Sequence, residues 1–173
     1  MATHPILISS DQIQKRIRKL AGEIRRYYKN KDLVILGLLN GSLFFLVDLL
    51  RHLPDRLEIE CWRLRSYPSG HRKSTGKIEG LKEGFGNFKD KHVLIVDDIL
   101  DTGLTLSSVK KRLIELGACD VKICVLLKKK KKRKCLIIAK WSGFKIGDEF
   151  VFGYGLDYDG YYRQIPEIRM LVS

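Results

Sequence analysis

The stretch VLIVDDILDTGLTL, residues 93–106, carries the strongest structural signal in this sequence. Its first four residues are all apolar, which is typical of a strand buried within a parallel sheet. Two carboxylates, Asp97 and Asp98, follow directly, and helical periodicity resumes at Thr105 and ends at Gly117. The stretch therefore predicts a buried strand that ends at Val96, a polar loop and the N-terminus of a helix.

The polar loop combines groups that suit a phosphorylated ribose. Paired carboxylates at a strand end can hold the neighbouring hydroxyls of a ribose and the Mg²⁺ that accompanies a pyrophosphate. Thr102, Gly103 and Thr105 lie where the loop becomes a helix, so backbone N–H groups, hydroxyls and the helix dipole can converge on a phosphate. Helix capping alone would also use Asp and Thr, but it does not require a third carboxylate, Asp101, in the same loop.

Strand and helix patterns alternate on both sides of this stretch. Ser9 and Gln12 form a possible capping box before an amphipathic helix, and the apolar run Leu33–Leu39 ends at Asn40, Gly41 and a second helical segment. Residues 57–64 and 121–127 read as further strands. This alternation predicts one α/β domain with a largely parallel sheet, whose ligands bind at the carboxyl ends of its strands.

Residues 65–80, RSYPSGHRKSTGKIEG, interrupt the alternation with a polar, glycine-rich segment. The segment exceeds the usual length of a connection between elements, so we interpret it as a lid over a site.

Composition limits the kind of protein and its partners. With 173 residues, 45% of them hydrophobic, the chain can form one domain with a real core. The net charge of +13 indicates anionic partners, either nucleic acid or phosphorylated small molecules, and seven basic residues at 128–134 concentrate that charge. We found no membrane span or signal segment, and expect a soluble, cytoplasmic protein. The cysteines lie mostly in strand-like runs and are expected to be reduced core residues: Cys61, Cys119, Cys124 and Cys135.

The strand, the acidic pair, two aliphatic residues and the sequence DTGLT together resemble the signature of the type I phosphoribosyltransferases. Three further segments resemble the hypoxanthine-guanine branch of that family, in the same order along the chain. They are LNGS at 39–42, RSY with STG at 65–67 and 74–76, and FVFGYGLDY with YYR at 150–158 and 161–163.

The resemblance implies the type I phosphoribosyltransferase fold, a largely parallel twisted sheet flanked by helices, with a small hood formed by the termini. It implies a single domain over residues 1–173, a lid at about 65–80 and a purine-binding hood at about 128–173. The implied activity is purine salvage: the phosphoribosyl group of phosphoribosyl pyrophosphate passes to hypoxanthine or guanine, giving IMP or GMP and pyrophosphate. Mg²⁺ and a homodimer or homotetramer are implied as well.

The resemblance also assigns roles to residues. Asp101 would be the catalytic group near N7 of the purine, and Asp97, Asp98 and Asp157 would face magnesium. Lys129 would donate to the 6-oxo oxygen, although Lys128 or Lys130 could replace it within the basic run. Lys129, Phe150, Val151 and Asp157 would bind the purine. The phosphoribosyl pyrophosphate site would comprise Asn40, Gly41, Ser66, Tyr67, Asp97, Asp98, Asp101, Thr102, Gly103, Leu104, Thr105 and Arg163.

Two positions depart from the commoner pattern of the family. Asp97 stands where many members carry Glu, which shortens the reach to the ribose by one methylene. Asn40 stands where some members carry Lys or Arg, so the turn relies more on backbone donors. Both departures concern the strength of binding rather than the class of reaction.

Two other functions compete with this interpretation. The basic charge and the aromatic residues would suit an RNA-binding regulatory protein on the same fold. The paired aspartates would suit a magnesium-dependent phosphatase, but that reading leaves the lid and FVFGYGLDY unexplained.

Overall fold

A computed structural model describes residues 4–66, 78–79, 86–130 and 136–172. The elements in chain order are β1 (Ile6–Ile8), α1 (Ser10–Tyr27), β2 (Leu33–Leu39), α2 (Leu43–Leu50), β3 (Glu58–Arg63), β4 (Arg65–Ser66), β5 (Ile78–Glu79), β6 (His92–Leu100), α3 (Leu104–Glu115), β7 (Asp120–Lys129), β8 (Trp141–Ile146), β9 (Val151–Phe152) and β10 (Ile168–Met170).

The central sheet has five parallel strands in the order β3-β2-β6-β7-β8. Strand β3 follows β2 toward one edge of the sheet, whereas β7 and β8 follow β6 toward the other edge. The strand order therefore changes direction between β2 and β6, and a crevice is expected at the carboxyl ends of these two strands. The predicted largely parallel α/β sheet is confirmed.

Helices cover both faces of this sheet. Because side chains alternate along β6, Leu94 and Val96 pack with α1 and α2, whereas Val93 and Ile95 pack with α3. The capping box predicted at the start of α1 is present: the Gln12 N–H donates to the Ser9 hydroxyl at 3.3 Å. The apolar face of α1 is fully buried, at Ile13, Ile17, Leu20 and Ile24.

A small antiparallel sheet, β1-β10-β9, joins the two ends of the chain and forms the expected hood. The segment from 128 to 173 divides between the two sheets: the end of β7 and β8 lie in the central sheet, and β9 and β10 lie in the hood.

The structure corrects three sequence-based expectations. Strand β6 continues through both aspartates to Leu100 instead of ending at Val96, because the backbone of β7 keeps pairing with it up to Lys128. Strand β8 was not predicted, since Gly143 in its middle reads as a break. Gly143 is needed there because a Cβ atom would lie 2.5 Å from the carbonyl oxygen of Leu126 on β7.

The third correction concerns the cysteines. Cys124 is buried in β7 as expected, but Cys61 and Cys119 are exposed, because they lie on the outward side of β3 and in the loop before β7. Cys135 lies outside the described residues. Within the described ranges, no helix has both the length and the apolar character needed to cross a membrane.

Candidate active site

Two loops meet at the carboxyl ends of β2 and β6. The turn after β2 is closed by Ser42, whose buried hydroxyl donates to the Leu38 carbonyl at 2.6 Å. Gly41 in this turn lies so close to Asp98 that a Cβ atom would overlap the carboxylate. Only glycine therefore allows the turn to pack against the acidic pair.

A cavity of about 430 Å³ opens between these loops, a size suited to a small ligand. Ten of the predicted site residues line it: Asn40, Gly41, Asp97, Asp98, Asp101, Thr102, Gly103, Thr105, Asp157 and Arg163. The rest of the wall is apolar, and the sequence analysis assigned these residues no ligand role: Leu38, Leu39, Leu64, Ile99, Leu100 and Leu106. Four of them lie inside the quoted motifs, but only the fold shows that they border the cavity.

The acidic pair sits at the floor of this cavity. The Asp98 N–H donates to Asp97 Oδ1 at 3.0 Å, and the Ile99 N–H donates to Asp98 Oδ1 at 2.8 Å. Burial raises the pKa of Asp97 well above its ordinary value, and the charge of Asp98 raises it further. Burial also raises the pKa of Asp98, although hydrogen bonds and the Arg163 guanidinium oppose this. A bound cation or a ribose hydroxyl would relieve the cost of keeping both groups charged.

These carboxylates fit Mg²⁺, but only as part of a coordination shell. Among the described residues, no three carboxyl, histidine or cysteine side chains converge as a complete metal site. A magnesium ion at Asp97 and Asp98 would therefore take its other oxygen ligands from water or from phosphates of the ligand.

The DTG turn is held in a conformation that requires glycine. Gly103 has φ of +82°, immediately before the first residue of α3. A Cβ atom on Gly103 would lie 2.5 Å from Cγ2 of Ile137, a buried residue beyond the basic run. Since Gly103 and Thr105 both line the cavity, the N-terminus of α3 borders it as predicted. Leu104 begins the helix but is not part of the cavity wall.

Lys129 connects the acidic loop to the region before the hood. Its ammonium lies 4.0 Å from Asp101 Oδ2 and 3.4 Å from Asp148 Oδ1, and its side chain is only 11% exposed. Lys129, the first choice among the three lysines for the base contact, thus lies beside Asp101. Asp148 was missed by the sequence analysis, since it belongs to no motif and only precedes FVFGYGLDY.

On the opposite wall, Arg163 is held by the hood. Its guanidinium pairs with Asp157 Oδ1 at 2.7 Å and donates to the Gly155 carbonyl at 2.6 Å. Asp157 also accepts from the Gly160 N–H at 2.9 Å. A cation at Asp157 would therefore compete with the Arg163 guanidinium.

The remaining predicted residues lie at the margins. Phe150 is half exposed with its ring 5.8 Å from that of Tyr158, and Val151 is buried in β9. Neither lines the cavity. Ser66 ends β4, which pairs with β5 at the base of the expected lid, and Tyr67 lies outside the described residues.

A larger cavity of about 780 Å³ lies at the other end of the strands, where β2 and β3 begin, next to the C-terminus of α1. Basic side chains border it, but none of the predicted site residues does. The smaller cavity is the candidate active site, because the acidic pair and the DTG turn converge there.

Known proteins are similar to this chain in sequence and in fold. Residues 9–159 match the family described as the phosphoribosyl transferase domain. The hypoxanthine-guanine phosphoribosyltransferase of Staphylococcus epidermidis is 40% identical over 166 residues, covering 96% of this chain and 92% of that protein. That of Staphylococcus aureus is 39% identical over the same shares of the two chains.

Solved structures agree with these matches. A hypoxanthine phosphoribosyltransferase from Staphylococcus aureus superposes with a TM-score of 0.90 at 38% identity, covering 97% of this chain and 91% of that one. A hypoxanthine-guanine phosphoribosyltransferase from Bacillus anthracis, with a HEPES molecule in its active site, also gives a TM-score of 0.90, at 36% identity over 97% and 98% of the two chains. The chain therefore belongs to the phosphoribosyltransferase family, in its hypoxanthine-guanine branch.

Proposed function

We propose that this enzyme transfers the phosphoribosyl group of phosphoribosyl pyrophosphate to a 6-oxopurine, hypoxanthine or guanine, and yields IMP or GMP and pyrophosphate. The observation that carries the proposal is the convergence of Asp97, Asp98, the DTG turn and Arg163 on one cavity. This reaction requires carboxylates that bind the sugar, a helix N-terminus that binds its phosphate and a guanidinium that binds the leaving group. The relatives named for this activity are 39–40% identical to the chain.

In the proposed reaction, a purine nitrogen displaces pyrophosphate at C1 of the ribose while positive charge develops on the sugar. Asp97 and Asp98 hold the ribose hydroxyls, and the α3 N-terminus holds the 5′-phosphate. Asp101 accepts a proton at N7 or stabilises the charge that builds there. Arg163 neutralises the departing pyrophosphate.

Magnesium belongs to the proposal as the ion that neutralises the pyrophosphate when bound. Asp97 and Asp98 are the residues that would hold it on the sugar side, and Asp157 on the pyrophosphate side once Arg163 turns to the leaving group. The raised pKa of both floor carboxylates supports this assignment, because they gain most from a neighbouring cation.

Lys129 supplies the preference for 6-oxopurines. An ammonium only donates hydrogen bonds, so it pairs with a 6-oxo oxygen and rejects the amino group of adenine. Its position 4.0 Å from Asp101 places it beside the proposed N7 group, and Phe150 would stack on the ring from the hood side.

The decisive experiment mixes the protein with phosphoribosyl pyrophosphate, Mg²⁺ and one base at a time: hypoxanthine, guanine, xanthine, adenine or uracil. Nucleotide should form with hypoxanthine or guanine and not with adenine. Absence of product with every oxopurine would overturn the proposal. Phosphate release from a sugar phosphate without any base would instead support a phosphatase.

Asp101 is tested by substitution. Asp101→Asn should lower kcat by roughly 10²-fold or more, with a much smaller change in the affinity for phosphoribosyl pyrophosphate. The exposed residue Asp55 provides a matched control, because Asp55→Asn removes a carboxylate far from the cavity. Equal losses in turnover and affinity would assign Asp101 to binding alone.

We also propose a cytoplasmic enzyme that assembles as a homodimer or homotetramer. The exposed side chains of Leu43, Phe44 and Val47 on α2 support assembly, because they form an apolar face next to the Asn40–Gly41 turn. Light scattering on the purified protein should give a multiple of the 20.0 kDa chain mass. A Val47→Glu variant should shift that mass toward the monomer, and a monomeric wild-type protein would refute the assembly.

A further inference from the structure

One carboxylate outside the cavity joins three separate parts of the fold. Asp48 on α2 accepts hydrogen bonds at the same oxygen, Oδ2, from Gln14 Nε2 on α1 and from the hydroxyl of Tyr154 after β9. Both distances are 2.5 Å. The acceptor side chain is 20% exposed, and Tyr154 is buried. One carboxylate oxygen therefore connects the hood to both helices on one face of the sheet, through two charge-assisted hydrogen bonds.

Tyr154 occupies a backbone conformation that needs such support. Its φ is +49°, a value that is uncommon for a bulky residue, and it lies between Gly153 and Gly155 with φ of +91° and +99°. Its N–H donates to the Ile165 carbonyl at 2.7 Å, and its ring lies 6.2 Å from that of Phe44. The hydroxyl contact with Asp48 thus fixes the side chain of a residue whose backbone forms a tight turn.

This turn contacts the wall of the active-site cavity on two sides. Gly155 approaches the Gly41 carbonyl so closely that a Cβ atom would overlap it. Gly155 also exchanges hydrogen bonds with Arg163: its N–H donates to the Arg163 carbonyl at 2.8 Å, and its own carbonyl accepts from the guanidinium at 2.6 Å. A shift of the turn would therefore move Gly41 and Arg163 together, although neither Asp48 nor Tyr154 lines the cavity.

We infer that Asp48 and Tyr154 are positioning residues for the pyrophosphate side of the site: their hydrogen bond sets the distance between the Asn40–Gly41 turn and the Arg163 guanidinium. The inference rests on the proposed function, since it concerns the binding of phosphoribosyl pyrophosphate. It concerns this half of the site rather than the half around Lys129 and Phe150, because the hydrogen bonds of Asp48 Oδ2 come from α1 and from the turn after β9.

The test is a Tyr154→Phe variant, which removes the hydroxyl but keeps the ring. The KM for phosphoribosyl pyrophosphate should rise about tenfold, because the Asn40–Gly41 turn and Arg163 are then no longer held at the spacing that suits pyrophosphate, while kcat and the KM for hypoxanthine stay within about twofold. Asp48→Ala should have the same effect. Asp48→Asn should restore nearly normal kinetics, because the amide oxygen still accepts from Tyr154 and Gln14.

Arg51→Gln is the matched control, because Arg51 contacts the other oxygen of Asp48 at 3.4 Å from an exposed position. It should change neither KM.

Calorimetric binding of magnesium phosphoribosyl pyrophosphate distinguishes failure of the proposed function from failure of the positioning role. If the wild-type protein does not bind this ligand, the proposed function fails. If it binds, and Tyr154→Phe binds equally well or loses both substrates alike, the positioning role is wrong. If Tyr154→Phe does not fold, the comparison of Asp48→Ala with Asp48→Asn decides the question in the same way.

Discussion

At the scale of single residues, the site places two carboxyl groups where burial disfavours their charged form. Asp97 and Asp98 are adjacent carboxylates at the floor of a cavity, and burial raises the pKa of both. A carboxyl group whose pKa is higher in the folded than in the unfolded protein stabilises the fold at low pH, and this contribution is lost as the pH rises through the folded-state pKa. Once the pH exceeds the raised pKa, the charged form of the pair therefore destabilises the ligand-free fold, and substrate and metal would relieve that cost.

Asp97→Asn should accordingly stabilise the ligand-free protein while reducing its activity. The amide keeps the acceptor for the Asp98 N–H and removes the buried charge. At a pH above the raised pKa of Asp97 the variant should melt above the wild type, by roughly 2–4 °C for each kcal/mol gained. The difference should shrink as the pH falls below the raised pKa of Asp97, because the wild-type carboxyl is then neutral as well. Thermal unfolding across this range measures it, and a difference that does not depend on pH would contradict the assignment.

Lys129 provides a second test at this scale. Lys129→Met removes the ammonium but keeps a side chain of similar length, so the KM for hypoxanthine should rise about tenfold or more. The KM for phosphoribosyl pyrophosphate should change little. Lys128→Met is the neighbouring control, because it removes one ammonium of the same basic run at the position next to Lys129. Steady-state kinetics with each substrate varied in turn would show the split, and equal effects of the two variants would contradict it.

At the scale of elements, the predictable part of the site is the part built from one continuous stretch of chain. The β6–α3 segment could be predicted because a buried strand, an acidic loop and a helix start each leave a local pattern within residues 93–106. The contacts that complete the site lie far apart in the sequence, as with Ile137 against Gly103 or Tyr154 with Asp48. Such pairs have no periodicity or spacing of their own, so only the fold reveals them.

The length of β6 illustrates the same limit. Charged side chains at Asp97 and Asp98 suggested that the strand ended at Val96, since a carboxylate is rarely placed in a buried strand. The backbone nevertheless continues its ladder, because β7 offers an apolar partner as far as Leu127. The end of a strand is thus set by its neighbour as well as by its own residues.

Gly103→Ala tests the element-scale role of the DTG turn. The substitution places a side chain at φ of +82° and brings its Cβ atom to 2.5 Å from Ile137. We expect a loss of about 1–3 kcal/mol of unfolding free energy and a larger loss of affinity for phosphoribosyl pyrophosphate. Gly117→Ala is the control: it also has positive φ, at +87°, but a Cβ atom there would make only ordinary contacts, 3.4 Å or more from Lys89, away from the cavity. Equal affinity in both variants would show that the turn does not hold the sugar phosphate.

At the scale of the whole molecule, the topology explains why one cavity collects so many groups. The strand order reverses between β2 and β6, so their carboxyl ends open a crevice to which the β2 turn, the β6 loop and the hood all contribute. The hood adds the Asp157–Arg163 pair from the C-terminal part of the chain. A ligand in this crevice contacts segments that are distant in sequence, and its binding should therefore stabilise the entire fold.

Magnesium phosphoribosyl pyrophosphate should raise the melting temperature of the wild-type protein. At a ligand concentration about 100 times the Kd, linkage predicts about 2.7 kcal/mol of stabilisation, or roughly 5–10 °C for a chain of this size. The shift should require both the metal and the sugar phosphate, since the two relieve the charge of the Asp97–Asp98 pair together. Asp98→Asn should abolish most of it, because Asp98 lies against the Gly41 turn and close enough to Arg163 for that guanidinium to lower its pKa, at the proposed sugar site. Differential scanning calorimetry with metal alone, ligand alone and both would measure how much each contributes to the shift in melting temperature. An equal shift in the Asp98→Asn variant would place the ligand outside this cavity.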